Sequence, residues 1–376
     1  MKIKGISYYL YLIIASSISF YFSKISIYSP IYIIYLSVLP IMVIYYLYRL
    51  NDLRISNDLI IAIILILYII ISVIFIHKDS LFTGAFINLF LGLAAYIYIR
   101  ISKKYFKEKY YSRIFKYMIY ITILLLIADT SYRLLNPNYF AKTSYMESRW
   151  FYFYKKNSLM FSDSNSTALI VLILYFTIVE LNHLITHFKQ KENKYINIIL
   201  IILLFLTFSR AAYIAFISGL IYERYKGNIK RRNIAIYLIL SIIILIIGIC
   251  IFYNLYNTDL SFQSKFYIFE IAIKAFKAFS NYYKIVGIGF SDWQEILGIY
   301  THNIFITYFI QTGIIGLVLF LSFLITIFRK SDYLLIPVII VSLSFFSYLG
   351  TPFLFVPLAF ICNIYDLELQ RLQRAV

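Results

Sequence analysis

Apolar runs long enough to cross a bilayer recur from one end of the chain to the other, and they limit its folds more than any other feature. A hydrocarbon core about 30 Å thick takes roughly 17–25 apolar residues as a helix. A helix also satisfies its backbone polar groups internally, which lipid demands. Only 14% of the 376 residues are charged and 62% are hydrophobic, whereas a soluble domain carries about 25% charged residues. The sequence therefore predicts an all-α, polytopic integral membrane helix bundle with about twelve transmembrane helices. Their expected positions are 6–22, 28–48, 58–76, 81–101, 114–135, 159–181, 195–208, 211–223, 233–254, 302–328, 333–349 and 351–365. The first run, Ile6–Phe22, is followed at once by others and lacks a small-residue cleavage site. It reads as a retained helix, not a signal peptide. No tandem repeat or Pro/Gly-rich linker divides the chain, so residues 1–376 are expected to form a single transmembrane domain. Cys250 and Cys362 both fall in apolar runs, which predicts free buried thiols.

The formal net charge of +18 has to be placed before it is interpreted. With the N-terminus inside, the inside segments hold Lys2 and Lys4, Arg49 and Arg54, and the basic stretch Arg100–Lys116. They also hold Lys189, Lys191 and Lys194, Arg224–Arg232, Arg329 and Lys330, and Arg371 and Arg374. That bias puts both termini in the cytoplasm and accounts for most of the charge without any nucleic acid. Two long outer loops remain, 136–158 and 255–301, and both carry basic residues against the topological preference. They are candidates for work on an anionic ligand. So is Arg210, an arginine between two short spans, which is costly there without a partner or a wet cavity. Within the second loop, Gln263, Tyr267, Glu270, Lys274 and Lys277 share a helical period with Phe262, Phe266, Phe269, Ile273 and Phe276. The loop is thus expected to be partly helical, with an amphipathic helix over 262–279 lying in the outer interface. Such a helix either merely covers the bundle or bounds a lipid-substrate cavity. Loop 136–158 is aromatic (Tyr145, Trp150, Phe151, Tyr152, Phe153 and Tyr154). An interfacial belt explains this, with stacking on sugar rings as the alternative.

Few groups could do chemistry. His302 opens the tenth span on the outer side and is either a polar end group or a general base, since imidazole titrates near working pH. His183 and His187 lie four apart at a cytoplasmic end with no third ligand, so no metal site is expected. His77, beside Lys78 and Asp79 at an outer turn, is expected to be solvated. Outer carboxylates such as Asp129, Asp163 and Glu270 form no Asp-x-Asp pair, and phosphate loops and Walker lysines are absent. The chain is therefore not an ATPase or a cytosolic sugar-nucleotide enzyme. A reaction without metal or cofactor on a phosphate-bearing lipid is open to it. That reaction needs cations for a departing diphosphate and a base for an acceptor hydroxyl. Arginine suits the first task because its planar fork binds phosphate in two places. Ser162-Asp163-Ser164-Asn165 opens the sixth span, where capping suffices as an explanation. Asn165 could also hydrogen-bond a substrate. Gly313 and Gly316 read as small residues for close helix packing.

Four pieces in order resemble the bacterial O-antigen ligase and O-antigen polymerase superfamily of integral membrane glycosyltransferases. They are Phe161-Ser-Asp-Ser-Asn165, Leu206-Thr-Phe-Ser-Arg210, Gly287-Ile-Gly289, and His302-Asn303 followed by Gly313-Ile-Ile-Gly316. The resemblance implies transfer of an oligosaccharide from undecaprenyl diphosphate at the periplasmic face, without a metal. It implies that Arg210 holds diphosphate and His302 is the base, with Asn165 and Asn303 beside the substrate. Lys265 stands where the family often has an arginine; it keeps the charge and loses the fork. Arg149 is placed by topology alone. The expected function is a polymerase of lipid-linked surface polysaccharide, O-antigen or capsule, in the bacterial inner membrane. Its partners would be the undecaprenyl-diphosphate-linked oligosaccharide, membrane lipids and a chain-length regulator. One alternative is a ligase that transfers finished chains to lipid A core. Another, from a different class, is a polysaccharide flippase or transporter, which would need charges deep within several spans.

Overall fold

The structure, a computed structural model, describes residues 33–34, 37–38, 40, 56–77, 83–101, 108–137, 154, 158–160, 164–185, 191–227, 260–290, 303–344 and 352–375. Among them the chain is helical: α1 (Asn57–Ile71, continued by a π-turn, Ser72–Ile76), α2 (Gly84–Ile101), α3 (Glu108–Leu135), α4 (Ser164–Leu184), α5 (Lys191–Phe205) and α6 (Arg210–Gly227). There follow α7 (Leu260–Ala278), α8 (Asn281–Val286), α9 (Ile304–Phe328), α10 (Asp332–Ser344) and α11 (Pro352–Ala375). Six helices are long and apolar enough to cross a membrane, and Asn193–Phe205 and Asp332–Ser344 are shorter apolar helices. The described helices thus support six crossings where the sequence suggested about twelve. The expected spans 6–22 and 233–254, and all of 28–48 but residues 33–34, 37–38 and 40, lie outside the described residues.

Helix α1 shows how a uniformly apolar sequence sorts its faces. Ala62, Leu65, Ile69 and Val73 are buried, whereas Ile60, Ile64, Leu67 and Ile71 are exposed. Both sets follow the helical repeat. Two apolar faces suit a helix with protein on one side and lipid on the other. Transfer from water cannot distinguish such faces, so the polar ends have to set the helix order.

They do so at one end of the bundle. Arg100, at the close of α2, gives its Nε to Asp58 of α1 at 2.7 Å and its Nη1 to Asn363 of α11 at 2.6 Å. Its Nη2 reaches Asp366 at 2.8 Å and Ser56 at 2.9 Å. Lys330, just after α9, donates to Asp58 at 2.9 Å and lies 3.1 Å from Asp366. Asn363 also donates to Tyr111 of α3 at 3.3 Å. Burial and the Arg100 charge both press Lys330 toward its neutral form, yet the Asp58 carboxylate holds its pKa above the ordinary lysine value. Two carboxylates and two cations balance, and α1, α2, α3 and α11 are fastened at one level with the end of α9.

A second knot joins α4, α5, α6 and α10 at the same end. Lys226 and Tyr222 of α6 meet the Asp332 carboxylate that opens α10, at 2.6 and 2.8 Å. Glu180 of α4 accepts the Leu334 amide at 3.3 Å. His183 stacks on Tyr333 with ring centroids 4.5 Å apart and lies 3.6 Å from Glu223. Asn193 of α5 donates to Asn182 of α4 at 3.1 Å. Arg100, Lys226 and Lys330, which the charge bias placed on one side, do meet at one end. The opposite ends of these helices, carrying Arg133, Ser164, Arg210 and Ser344, therefore lie together at the other.

Candidate functional site

The far end of the bundle is organised around a break in helical structure between α5 and α6. Non-helical backbone at this depth survives only where each polar group finds a partner. The bonds account for the break group by group. The Phe205 carbonyl accepts the Phe208 amide at 3.2 Å and the Tyr213 hydroxyl at 2.6 Å. The Leu206 carbonyl accepts Nη1 of Arg133 at 2.8 Å, and the Thr207 carbonyl accepts Ser164 Oγ at 2.7 Å. The Ser209 amide donates to Thr207 Oγ1 at 3.3 Å, and the Ser209 carbonyl accepts the Tyr213 amide at 3.1 Å. Phe208 lies in the left-handed region at φ 55°. A bulky side chain rarely sits there unless its surroundings impose it.

This break carries Arg210. The preceding Ser209 gives its hydroxyl to Oδ1 of Asn165 at 2.8 Å. Two of the residues singled out in the sequence, 45 positions apart in family-like pieces, are thus one bonded residue from contact. Ser164 and Asn165 serve the neighbouring break in addition to opening their own helix. Arg210 is exposed and is the first residue of α6. A helix N-terminus carries about half a positive charge, which opposes a cation there by roughly 0.3–1 kcal/mol. Cation and dipole agree only when an anion lies in front of both.

Behind the break stand two residues the sequence reading left in the background. Arg133 and Asp129 of α3 are both fully buried, with Arg133 Nε 3.9 Å from Asp129 Oδ2. Asp129 accepts Ser158 Oγ at 2.7 Å, the Leu159 and Met160 amides at 2.6 and 3.1 Å, and Thr167 Oγ1 at 3.2 Å. It therefore ties the approach to α4 to the end of α3. Four-residue spacing of Asp and Arg was the available signal, but nothing local distinguished Arg133 from the other basic residues near loop 136–158.

Asn303 caps α9, accepting the Phe305 and Ile306 amides at 3.0 and 3.2 Å. Its Nδ2 donates to the Leu343 carbonyl near the end of α10 at 3.2 Å. Because α10 starts against Lys226 and Tyr222, its end lies toward the Arg210 end of α6. Asn303 and Arg210 thus share one end of the bundle. His302 and Arg149 lie outside the described residues. Lys265 lies on α7, and its side chain is outside the described residues.

Beside this end, α9 is itself broken at Gly313, where the backbone leaves the helix at φ 66° and ψ −168°. The freed carbonyls of Ile310 and Gln311 accept the amides of Ile288 and Gly289 at 2.9 and 3.0 Å. Tyr68 of α1 donates to the Thr312 carbonyl at 2.7 Å and to the Val286 carbonyl at 3.3 Å. A Cβ on Gly287 would collide with the Gln311 carbonyl, and one on Gly313 with that of Ile285. Gly313 is thus a backbone break in addition to the expected point of close approach to a neighbour, here the 285–287 backbone. Gly316 does pack closely: a Cβ there would meet Thr312 of its own helix and Tyr68 of α1.

Helix α7 contains all but the last residue of the expected helical segment 262–279, and only part of its apolar surface is covered. Ile268 and Ala272 are buried, with Ala272 clustered on Ile310 of α9. Phe276 packs against Phe309 with ring centroids 4.2 Å apart and the planes tilted by 37°, whereas Phe266, Phe269 and Ile273 stay exposed. His77 is a second correction: it is half-buried at the end of the π-turn, stacked 6.4 Å from Tyr283. Its Nε2 is buried without a hydrogen-bond partner. Burial pulls the imidazole below the ordinary histidine range, partly offset by a hydrogen bond to the Gly287 backbone. Among the described residues no cluster of three His, Cys, Asp or Glu side chains could hold a metal.

Residues 195–321 match the family model described as O-antigen ligase. The match supports the O-antigen polymerase and ligase superfamily. It spans the α5–α6 break, Arg210, the Gly287-Ile-Gly289 turn and the broken part of α9. No curated protein matches the chain.

Proposed function

We propose that this multi-pass membrane protein, matched over residues 195–321 to the O-antigen ligase family, is a polymerase of lipid-linked surface polysaccharide. The supporting observation is the Asn165–Ser209–Arg210 assembly, inside or bonded to that matched stretch, where an exposed guanidinium stands at a helix N-terminus, a place suited to an anionic ligand. The anion is the diphosphate that links a glycan to its carrier lipid. In the reaction, a hydroxyl oxygen of an acceptor repeat unit bonds to the anomeric carbon of the donor glycan. The bond from that carbon to the diphosphate oxygen breaks. His302 takes the hydroxyl proton, and Arg210, aided by Lys265 or Arg149, holds the charge on the departing lipid diphosphate. Asn165 and Asn303 orient the sugars. The site faces the periplasm of a bacterial inner membrane, with both termini in the cytoplasm.

The family description favours a second reading, ligation of finished chains to lipid A core, whose donor chemistry is the same. A transporter is disfavoured. The buried charges Asp58, Arg100, Asp129, Arg133, Glu180 and Asp332 all lie within the first or last two turns of described helices, so no buried charge is seen in the middle of a described helix.

The test is the glycan profile of a strain lacking the gene, complemented with Arg210→Ala, Arg210→Lys or His302→Ala at matched membrane levels. A lost polymerase leaves single repeats on core, and a lost ligase leaves bare core with lipid-linked polymer accumulating. Unchanged long-chain glycan with both alanine variants would reject the mechanism, and repeat units held on the cytoplasmic face would favour a transporter.

A further inference from the structure

The site reading uses Arg210 and leaves unexplained why a fully buried arginine stands behind it. Arg133 has no exposed surface, so it meets no ligand in this conformation. Charge pairing does not account for its place either. Asp129 already has four donors at 2.6–3.2 Å, and the guanidinium comes no closer than 3.9 Å. The short contact that Arg133 makes is Nη1 to the Leu206 carbonyl at 2.8 Å, 73 positions away in the chain.

That carbonyl lies two residues before Phe208, which sits in the left-handed region. Such a conformation costs about 1–2 kcal/mol for a residue with a Cβ. The carbonyls just before Phe208 are held by Arg133 and by Ser164, and the residue just after it is held by Asn165. Released from these, the chain can relax at Phe208, and the first turn of α6 then rotates with Arg210 on it.

We propose that Arg133 is a positioning residue: through the Leu206 carbonyl it fixes the α5–α6 break and so aims Arg210 at the diphosphate. Asp129, held by its own four donors, joins the same frame to the start of α4. The proposal rests on the reading of Arg210 as the diphosphate-holding residue. A lysine at 133 would keep the charge near Asp129 but lose the planar fork that reaches the carbonyl.

The test uses the full-length protein in nanodiscs and a long-chain isoprenyl diphosphate as probe. Arg133→Met should weaken probe binding roughly tenfold in the parent protein and have no further effect in Arg210→Ala, since it acts through that residue. Amide exchange over 206–211 should rise at least about tenfold in Arg133→Met, with the Arg100 cluster helices unchanged. Arg133→Lys, which retains the buried charge, guards against a variant that fails to fold and should show the same local rise. Independent, multiplying effects of the two substitutions on binding, or unchanged exchange over 206–211, would overturn the proposal. If Arg210→Ala alone leaves probe binding intact, the diphosphate reading fails. The exchange measurement then decides by itself whether Arg133 holds the break.

Discussion

Replacing Gly287 by alanine tests whether the broken part of α9 depends on backbone pairing with the 287–289 turn. Gly287 lies at φ 83° and ψ 177°, and Gly313 opposite it at φ 66° and ψ −168°. Both are in a region that is essentially glycine-only, where another residue costs about 1–3 kcal/mol. The new Cβ would also overlap the Gln311 carbonyl and press on the Gly313 amide, both backbone atoms that cannot rotate away. Relief requires the strands to part, losing the Ile288–Ile310 and Gly289–Gln311 bonds of 2.9 and 3.0 Å. Each is worth about 0.5–1.5 kcal/mol net. Together the local destabilisation is about 2–6 kcal/mol. At about 1.4 kcal/mol per tenfold, amide exchange at 288 and 289 should accelerate roughly 30-fold or more. Hydrogen exchange with mass spectrometry in nanodiscs reads this directly. Gly84→Ala is the control, because its Cβ would have nothing within 4 Å, and exchange should stay as in the parent. Unchanged protection at 288 and 289 in Gly287→Ala would refute the pairing argument.

Two further perturbations address the ends of the bundle. Arg100→Met leaves the buried Asp58 without its main partner and should destabilise by about 3–5 kcal/mol, seen as a lower melting temperature in detergent; an unchanged melt would show that Lys330 alone suffices. His77 has a folded pKa below its ordinary value of 6.5, so it favours folding while neutral. That contribution is complete above pH 6.5 and is lost as pH falls through the folded pKa. The parent should therefore lose stability on acidification more steeply than His77→Gln, and parallel pH–stability curves would argue against a buried imidazole at the turn.

The apolar helices among the described residues were readable from the chain alone, since each apolar side chain contributes its transfer free energy wherever its helix packs. Thus 58–76, 81–101 and 159–181 are found within a few residues as α1, α2 and α4, and the charge bias matched the end where Arg100, Lys226 and Lys330 meet. Arg210 and Asn165 could be chosen by type, and α7 by its period. Pairing was another matter. The Ser209–Asn165 bond, the Arg133 hold on Leu206 and the seat of Gly313 against the 285–289 backbone each join segments distant in sequence. His77 became half-buried for the same reason. Hydropathy is a property of one residue in one solvent, whereas a satisfied carbonyl or a collision with a Cβ depends on two chain segments. Where nearly every surface is apolar, only the packed bundle chooses which segments those are.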